Sequence, residues 1–285
     1  MITVPEVVAV IGGGRMGAGI SQVFAAAGST VTVAEANPDA ASAARERVAA
    51  GLARAADKGS LRDDPQRVLA RVHTVPALTE LPAAAGLVIE AVPERMADKI
   101  NVLSGAEKVV APTAVLASNT SSLSISEIAA ALRFPERFVG MHFFNPVPAS
   151  ALVEVVRGPG TADDVVNEVL GWIHRLGKSD VVVNDSPGFA TSRLGVALGL
   201  EAIRMLEESV ADAASIDRAM ELGYRHPMGP LRSTDLVGLD VRLAIAEHLH
   251  ATLGDRFRPP ALLRDKVARG ELGRKTGQGF FHWPR

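Results

Sequence analysis

Between residues 140 and 156 the chain reads GMHFFNPVPASALVEVV. Glu154 lies inside the apolar run Leu152-Val153-Glu154-Val155-Val156, where an ionised carboxylate without a partner would be costly. His142 ends the preceding apolar run, twelve residues earlier. The intervening NPVPAS is long enough for the chain to turn and return along a neighbouring strand. A carboxylate accepting from the imidazole Nδ1–H would fix the tautomer, leave Nε2 as a general base and stabilise the imidazolium that forms. The same hydrogen bond would resolve the burial of Glu154. On spacing alone, two plainer readings stay open: a satisfied structural histidine, and an exposed glutamate on an edge strand.

A second constellation lies near the N-terminus. Gly12-Gly13-Gly14-Arg15-Met16-Gly17 fits G-x-G-x-x-G, with glycines 12, 14 and 17 at the required positions. The pattern follows an apolar run, opens a helical segment, and precedes Glu35 at the end of the next strand-like segment. That context makes it a strong dinucleotide signal. Gly12 makes the tight turn, and Gly14 lets backbone N–H groups approach a pyrophosphate at the helix N-terminus. Arg15 and Met16, inside the same turn, belong to the expected cofactor contacts. Glu35 can accept from both ribose hydroxyls, and Ala36-Asn37-Pro38 supplies no cation for a 2′-phosphate. The expected cofactor is therefore NAD rather than NADP. A nicotinamide enzyme that oxidises an alcohol needs a base near the reactive ring carbon. Of the seven histidines, His142 suits this best, because ligands of open α/β sheets lie beyond the carboxyl ends of the strands.

These residues need a scaffold. Strand-like runs occur at 7–12, 30–35, 87–92, 114–117, 137–142, 151–156 and 180–184, with helical segments at 15–27, 95–111, 124–132 and 161–176. Pro38 to Lys58 predicts a long helix that turns at Lys58-Gly59 and returns through 65–72 as a helical hairpin. Ser124 and Glu127 have capping-box spacing. After Asp185-Ser186-Pro187-Gly188, a turn signal, the pattern is all helical, at 189–209, 213–222, 233–252 and 260–269. The expected fold class is α/β: residues 1–184 form a Rossmann-type, mostly parallel sheet with a helical hairpin insertion, and 185–285 form an all-α domain.

Composition narrows the function. The net charge of −2, with no basic stripe, gives no reason to expect nucleic acid. There is no cysteine, which excludes disulfides, thiolate nucleophiles and Cys-based metal sites; no metal is expected. The beginning of the chain shows no signal-peptide pattern, and no apolar run approaches the roughly 18 residues of a membrane span. The expectation is a soluble, cytoplasmic protein.

The runs VIGGGRMGAGI, IEAVPE, ASNTSSLSI, GMHFFNPV, LVEVV, DSPGF, HPMGPL, DLVGLD and LGRKTGQGFF extend over nearly the whole chain. In them it resembles the L-3-hydroxyacyl-CoA dehydrogenase family, especially its single-function bacterial 3-hydroxybutyryl-CoA members. The resemblance implies that His142 and Glu154 are the catalytic pair and that Ser121 touches substrate and nicotinamide. It also implies that Glu94, Lys99, Asn119, Asn145 and Lys275 lie around the cofactor, and that Lys58 meets the CoA nucleotide. Plainer roles exist: Ser121 as a helix cap, Lys99 as a solvated helix face. The implied substrate is a short-chain (S)-3-hydroxyacyl-CoA, oxidised reversibly to the 3-keto compound. The implied assembly is a homodimer through the C-terminal domain, which would close over the substrate.

Two departures stand out. Ser192 occupies the position after PGF where the family usually has an asparagine; it is expected to keep the substrate-oxygen contact directly or through a water. Gly51 stands where a serine of the CoA site is often found. Competing readings are the same chemistry on a group bound to acyl carrier protein, oxidation of a free hydroxy acid, and a non-catalytic NADH-binding protein.

Overall fold

The computed structural model describes residues 3–284. The chain divides into one unit ending at Asp185 and a second beginning at Ser186.

The first unit is built on an eight-stranded sheet. Its strands are β1 (Val7–Ile11), β2 (Thr30–Ala34), β3 (Val72–Val75), β4 (Leu87–Glu90), β5 (Val115–Ser118), β6 (Phe138–Phe143), β7 (Leu152–Arg157) and β8 (Ser179–Asn184). They run in the order β3-β2-β1-β4-β5-β6-β7-β8. The first six follow the 3-2-1-4-5-6 order of dinucleotide-binding sheets. All neighbours are parallel except β6 and β7, which are antiparallel. The first-unit helices are α1 (Arg15–Ala26), α2 (Pro38–Asp57), α3 (Pro65–Leu69), α4 (Met96–Ala106), α5 (Ile125–Ala129) and α6 (Asp163–Arg175).

Local chemistry explains these elements. The central strands are buried on both faces, as helices covering a parallel sheet require; β4, β5 and β6 are buried throughout. On α1, Ile20 and Phe24 are fully buried, each contributing about 1.5–3 kcal/mol of apolar burial. Helix α2 starts with Pro38 in its first turn, and the Asn37 side chain accepts from Ala40 N, an N-cap that stops the preceding strand from continuing. Ala41, Ala44, Val48 and Leu52 form its buried stripe.

The hairpin return differs from the sequence expectation. Only α3, five residues capped by Asp64, is helical, and residues 72–75 form β3, parallel to β2. This edge strand is four residues long, with His73 exposed, too short to produce a recognisable alternation. Glu154 also lies off the edge: β7 is flanked by β6 and β8.

The second unit contains α7 (Thr191–Glu207), α8 (Ala213–Gly223), α9 (Pro230–Val237), α10 (Leu239–Leu253) and α11 (Ala261–Ala268). The single helix expected over 233–252 is two helices, because Gly238 adopts φ 102° between α9 and α10, a conformation that cannot continue an α-helix. Val196, Leu200, Ile203, Leu231 and Leu249 are its fully buried centre. Two buried aspartates order the polypeptide around it. Asp217 accepts from the N–H groups of Leu231 and Arg232 at the start of α9. Asp235 accepts from Phe280 N, Phe281 N and Trp283 Nε1, fastening the C-terminal segment. Among the described residues no helix is long and apolar enough to cross a membrane.

Candidate active site

The carboxyl ends of β1, β2, β4, β5 and β6 carry most of the expected site residues of the first unit along one edge of the sheet; Glu154 lies within β7 and Lys58 at the end of α2. After β1 the chain turns at Gly12, whose φ is 90°. A Cβ on Gly17 would stand 1.7 Å from the Gly12 carbonyl oxygen, so only glycine lets α1 begin this close to the strand end. A Cβ on Gly14 would meet nothing within 4 Å, so space lies open in front of the helix. No acidic residue occupies the first turn of α1, leaving its N–H groups and the positive end of the helix dipole to an anion. These features fit a dinucleotide pyrophosphate. Glu35 follows β2, and its Oε1 accepts from Gly13 N at 2.6 Å, which fixes the carboxylate beside the turn. Arg47 reaches the same turn from α2, donating to Gly13 O at 3.0 Å. Met16 packs partly buried against the sheet core.

At the end of β6, His142 pairs directly opposite Glu154 on β7. The Nδ1–H donates to Glu154 Oε2 at 2.9 Å, and the carboxylate is fully buried while the imidazole is nearly so. The ring also packs against Phe144 with centroids 4.3 Å apart. With Nδ1 committed to the carboxylate, proton exchange with a reactant falls to Nε2, and any imidazolium formed has its counter-charge already in place. The antiparallel return of β7 makes this possible, since directly opposed residues present their side chains to the same face.

Beside this pair, Asn119 follows β5 and its Oδ1 accepts from Phe143 N at 2.8 Å, tying the loop after β5 to the strand end that carries His142. Ser121 donates from both its N and Oγ to Glu94 Oε1, at 2.8 and 3.1 Å. Thr120 Oγ1 donates to the same oxygen at 2.6 Å. Lys99 pairs with Glu94 Oε2 at 3.1 Å and with both oxygens of Glu90 at 2.9 Å. Lys99 is almost completely buried and its ammonium faces these carboxylates, so it is not a solvated helix face. Burial alone would raise the Glu94 carboxyl, but Lys99, Thr120 and the Ser121 backbone together hold it below its ordinary value of 4.5. Its contribution to stability is thus present above that value and fades as pH falls through the lowered one. The melting-temperature gap between wild type and E94Q is expected to be widest towards neutral pH and to close as pH falls through the lowered value. A gap independent of pH would contradict this.

A cavity of about 940 Å³ opens between α1, α2 and the loop after β6. Arg15, Arg47, Arg54 and Lys58 line it, with Asn145 and the Pro146–Ala149 segment on the other side. Positions 47, 54 and 58 recur at helical spacing, so α2 turns one basic face into the cavity. Lys178 holds the opposite wall: its buried Nζ donates to Val147 O and Ser150 O, each at 2.6 Å, and burial lowers its pKa. Gly51 is part of the lining; a Cβ there would meet Gln22 Oε1 at 2.5 Å.

Two expected site residues belong to the second unit. Ser192 lies in the first turn of α7. Lys275 pairs with Asp240 at 2.5 and 2.6 Å. Glu90, Thr120, Arg47, Arg54 and Lys178 line the cavity or contact the residues around it and around Ser121, and the sequence alone did not single them out. Glu90 carried the same signal as Glu154: an acidic residue inside the apolar run LVIEAV.

A dinucleotide-binding sheet whose strand ends carry an oriented imidazole defines a pyridine-nucleotide-dependent dehydrogenase. Residues 7–186 match the 3-hydroxyacyl-CoA dehydrogenase NAD binding domain, and residues 188–283 match the C-terminal domain of the same family. A probable 3-hydroxybutyryl-CoA dehydrogenase of Bacillus subtilis is 44% identical over 276 residues, covering 96% of each chain. A 3-hydroxybutyryl-CoA dehydrogenase of Bradyrhizobium diazoefficiens is 39% identical, covering 99% of this chain and 97% of its own. Among solved structures, the (S)-3-hydroxybutyryl-CoA dehydrogenase PaaH1 of Ralstonia eutropha superposes with a TM-score of 0.93 at 38% identity, over 99% of this chain and 100% of that one. The chain belongs to the 3-hydroxyacyl-CoA dehydrogenase family. Its cofactor is NAD and its chemistry is NAD-dependent 3-hydroxyacyl-CoA dehydrogenation.

Proposed function

We propose that this protein interconverts short-chain (S)-3-hydroxyacyl-CoA and 3-ketoacyl-CoA, with His142 as acid–base and Glu154 as its buried partner. The observation that carries this reading is the 2.9 Å His142–Glu154 hydrogen bond at the end of β6. In the oxidative direction His142 Nε2 takes the proton of the 3-hydroxyl, and Glu154 balances the imidazolium. In the reductive direction the imidazolium returns that proton to the developing alkoxide. When bound, NAD supplies the hydride acceptor. Ser121, Glu94, Asn119, Asn145, Lys275 and the glycine turn hold cofactor and substrate in register, and Lys99 anchors Glu94.

The basic face of α2 supports a CoA thioester over a free hydroxy acid. Arg15, Arg47, Arg54 and Lys58 around one cavity suit the several phosphates of a nucleotide tail. Gly51 does not weaken this, because a serine there would have to displace the Gln22 amide while the cations stay in place. Oxidation of NADH at 340 nm with acetoacetyl-CoA tests the proposal. Turnover is expected with the CoA thioester and to be at least about tenfold less efficient with free acetoacetate, the scale of one lost set of charged contacts. Equal rates would overturn it.

We assign Ser192 the substrate-oxygen contact and expect S192A to lower kcat/KM by about tenfold, the scale of one hydrogen bond to a charge-developing oxygen. An unchanged kcat/KM would remove that role. We further propose a homodimer formed through the second unit, where Leu194, Leu222 and Tyr224 are exposed apolar side chains. We take its location as the cytoplasm, which the absence of cysteine suits.

A further inference from the structure

Strand β4 ends in Glu90, a fully buried carboxylate that the acid–base chemistry does not use. Its Oε1 accepts from Ser118 Oγ at the end of β5, and its Oε2 accepts from Val92 N at 3.1 Å. Both oxygens also receive Lys99 Nζ at 2.9 Å. Lys99 therefore stands between two carboxylates, Glu90 on the interior side and Glu94 towards Ser121, with Val92 O at 3.4 Å as a further acceptor.

We propose that Glu90 is a positioning residue: by holding Lys99 it fixes Glu94, and Glu94 in turn fixes the Ser121 hydroxyl. The inference rests on the reading that Ser121 meets the substrate. Three features carry it. Lysine is a flexible point charge, and one carboxylate would satisfy it electrostatically; the second carboxylate determines where it sits. Glu94 divides its oxygens, with Oε2 given to Lys99 and Oε1 to Thr120 and Ser121, so a displacement of the ammonium passes directly to the serine. Finally, a fully buried carboxylate such as Glu90 is a poor stabilising device, since buried ion pairs often do no better than apolar packing. In keeping with that cost, burial raises the Glu90 carboxyl despite Lys99 and Ser118.

The experiment is a double-mutant cycle on NADH-dependent reduction of acetoacetyl-CoA by the full chain, with E90Q, E94Q and the double variant. E90Q is expected to lower kcat by about tenfold, the coupling of residues in one network, with KM for the thioester within about twofold of wild type. In the E94Q background the same substitution should change kcat by less than about twofold. Additive losses, or a folded E90Q with wild-type kcat, would mean that Glu90 only supports the fold. Should E90Q fail to fold, Ser118→Ala removes one donor to Glu90, together with a 3.2 Å acceptor of Thr120 N, and leaves every charge in place. It should then lower kcat in the wild-type background and not in E94Q; equal losses in both would overturn the inference. If E94Q and S121A both leave turnover intact, the assignment of Ser121 falls and this inference with it. If they lower turnover and E90Q does not, only the role of Glu90 is lost.

Discussion

Alanine in place of His142 is expected to reduce turnover of acetoacetyl-CoA by about 10²–10⁴-fold, the usual worth of a positioned general acid–base, while NADH binding survives. The physical basis is a division of labour across the sheet. The glycine turn and Glu35 lie at the ends of β1 and β2, whereas His142 ends β6. Removing the imidazole also leaves Glu154 buried without its partner in that bond, which costs stability. The measurement must therefore pair steady-state kinetics with a melting curve and an NADH fluorescence titration. A large loss of NADH affinity in folded H142A would show that the histidine serves cofactor binding, and nearly normal turnover would remove it from the chemistry.

Gly17→Ala should have the converse signature. The added Cβ would stand 1.7 Å from the Gly12 carbonyl oxygen and 2.9 Å from its carbon. Both are backbone atoms, which cannot swing aside as a side-chain tip can, so the turn must open and the first N–H groups of α1 must move. Overpacking of this kind costs about 1–3 kcal/mol. Expressed in the cofactor site, that is a loss of about 5- to 150-fold in NADH affinity. Because α1 also packs through Ile20 and Phe24, some of the strain will lower the melting temperature. Wild-type NADH affinity in G17A would show that the close approach of strand and helix is not needed for binding.

Much of this was legible in the sequence because two local signals were strong. Three spaced glycines between an apolar run and a helix seldom occur where no phosphate must be approached, and a glutamate within LVEVV demands a partner. The antiparallel return that supplies the partner could be inferred from the two prolines and the length of the loop. What escaped lacked periodicity or depended on distant pairing. Strand β3 is four residues on an edge. The break at Gly238 is a single positive φ within an otherwise helical pattern. The orientation of Lys99 could not be read from α4, because its partners end β4 and follow it. The basic face of α2 became meaningful only when the loop after β6 was placed across from it, far downstream in the chain.

The pairing of β6 with β7 has an evolutionary corollary. The alignment of imidazole and carboxylate is stored in the ladder Met141↔Val155, His142↔Glu154, Phe143↔Val153, so shifting β7 by one residue would turn Glu154 to the opposite face. The connecting loop, by contrast, walls the basic cavity and can diversify while that ladder stays fixed. Descendants of this scaffold can therefore acquire new preferences for the group that fills the basic cavity by remodelling residues 146–149, without disturbing the proton-handling ladder.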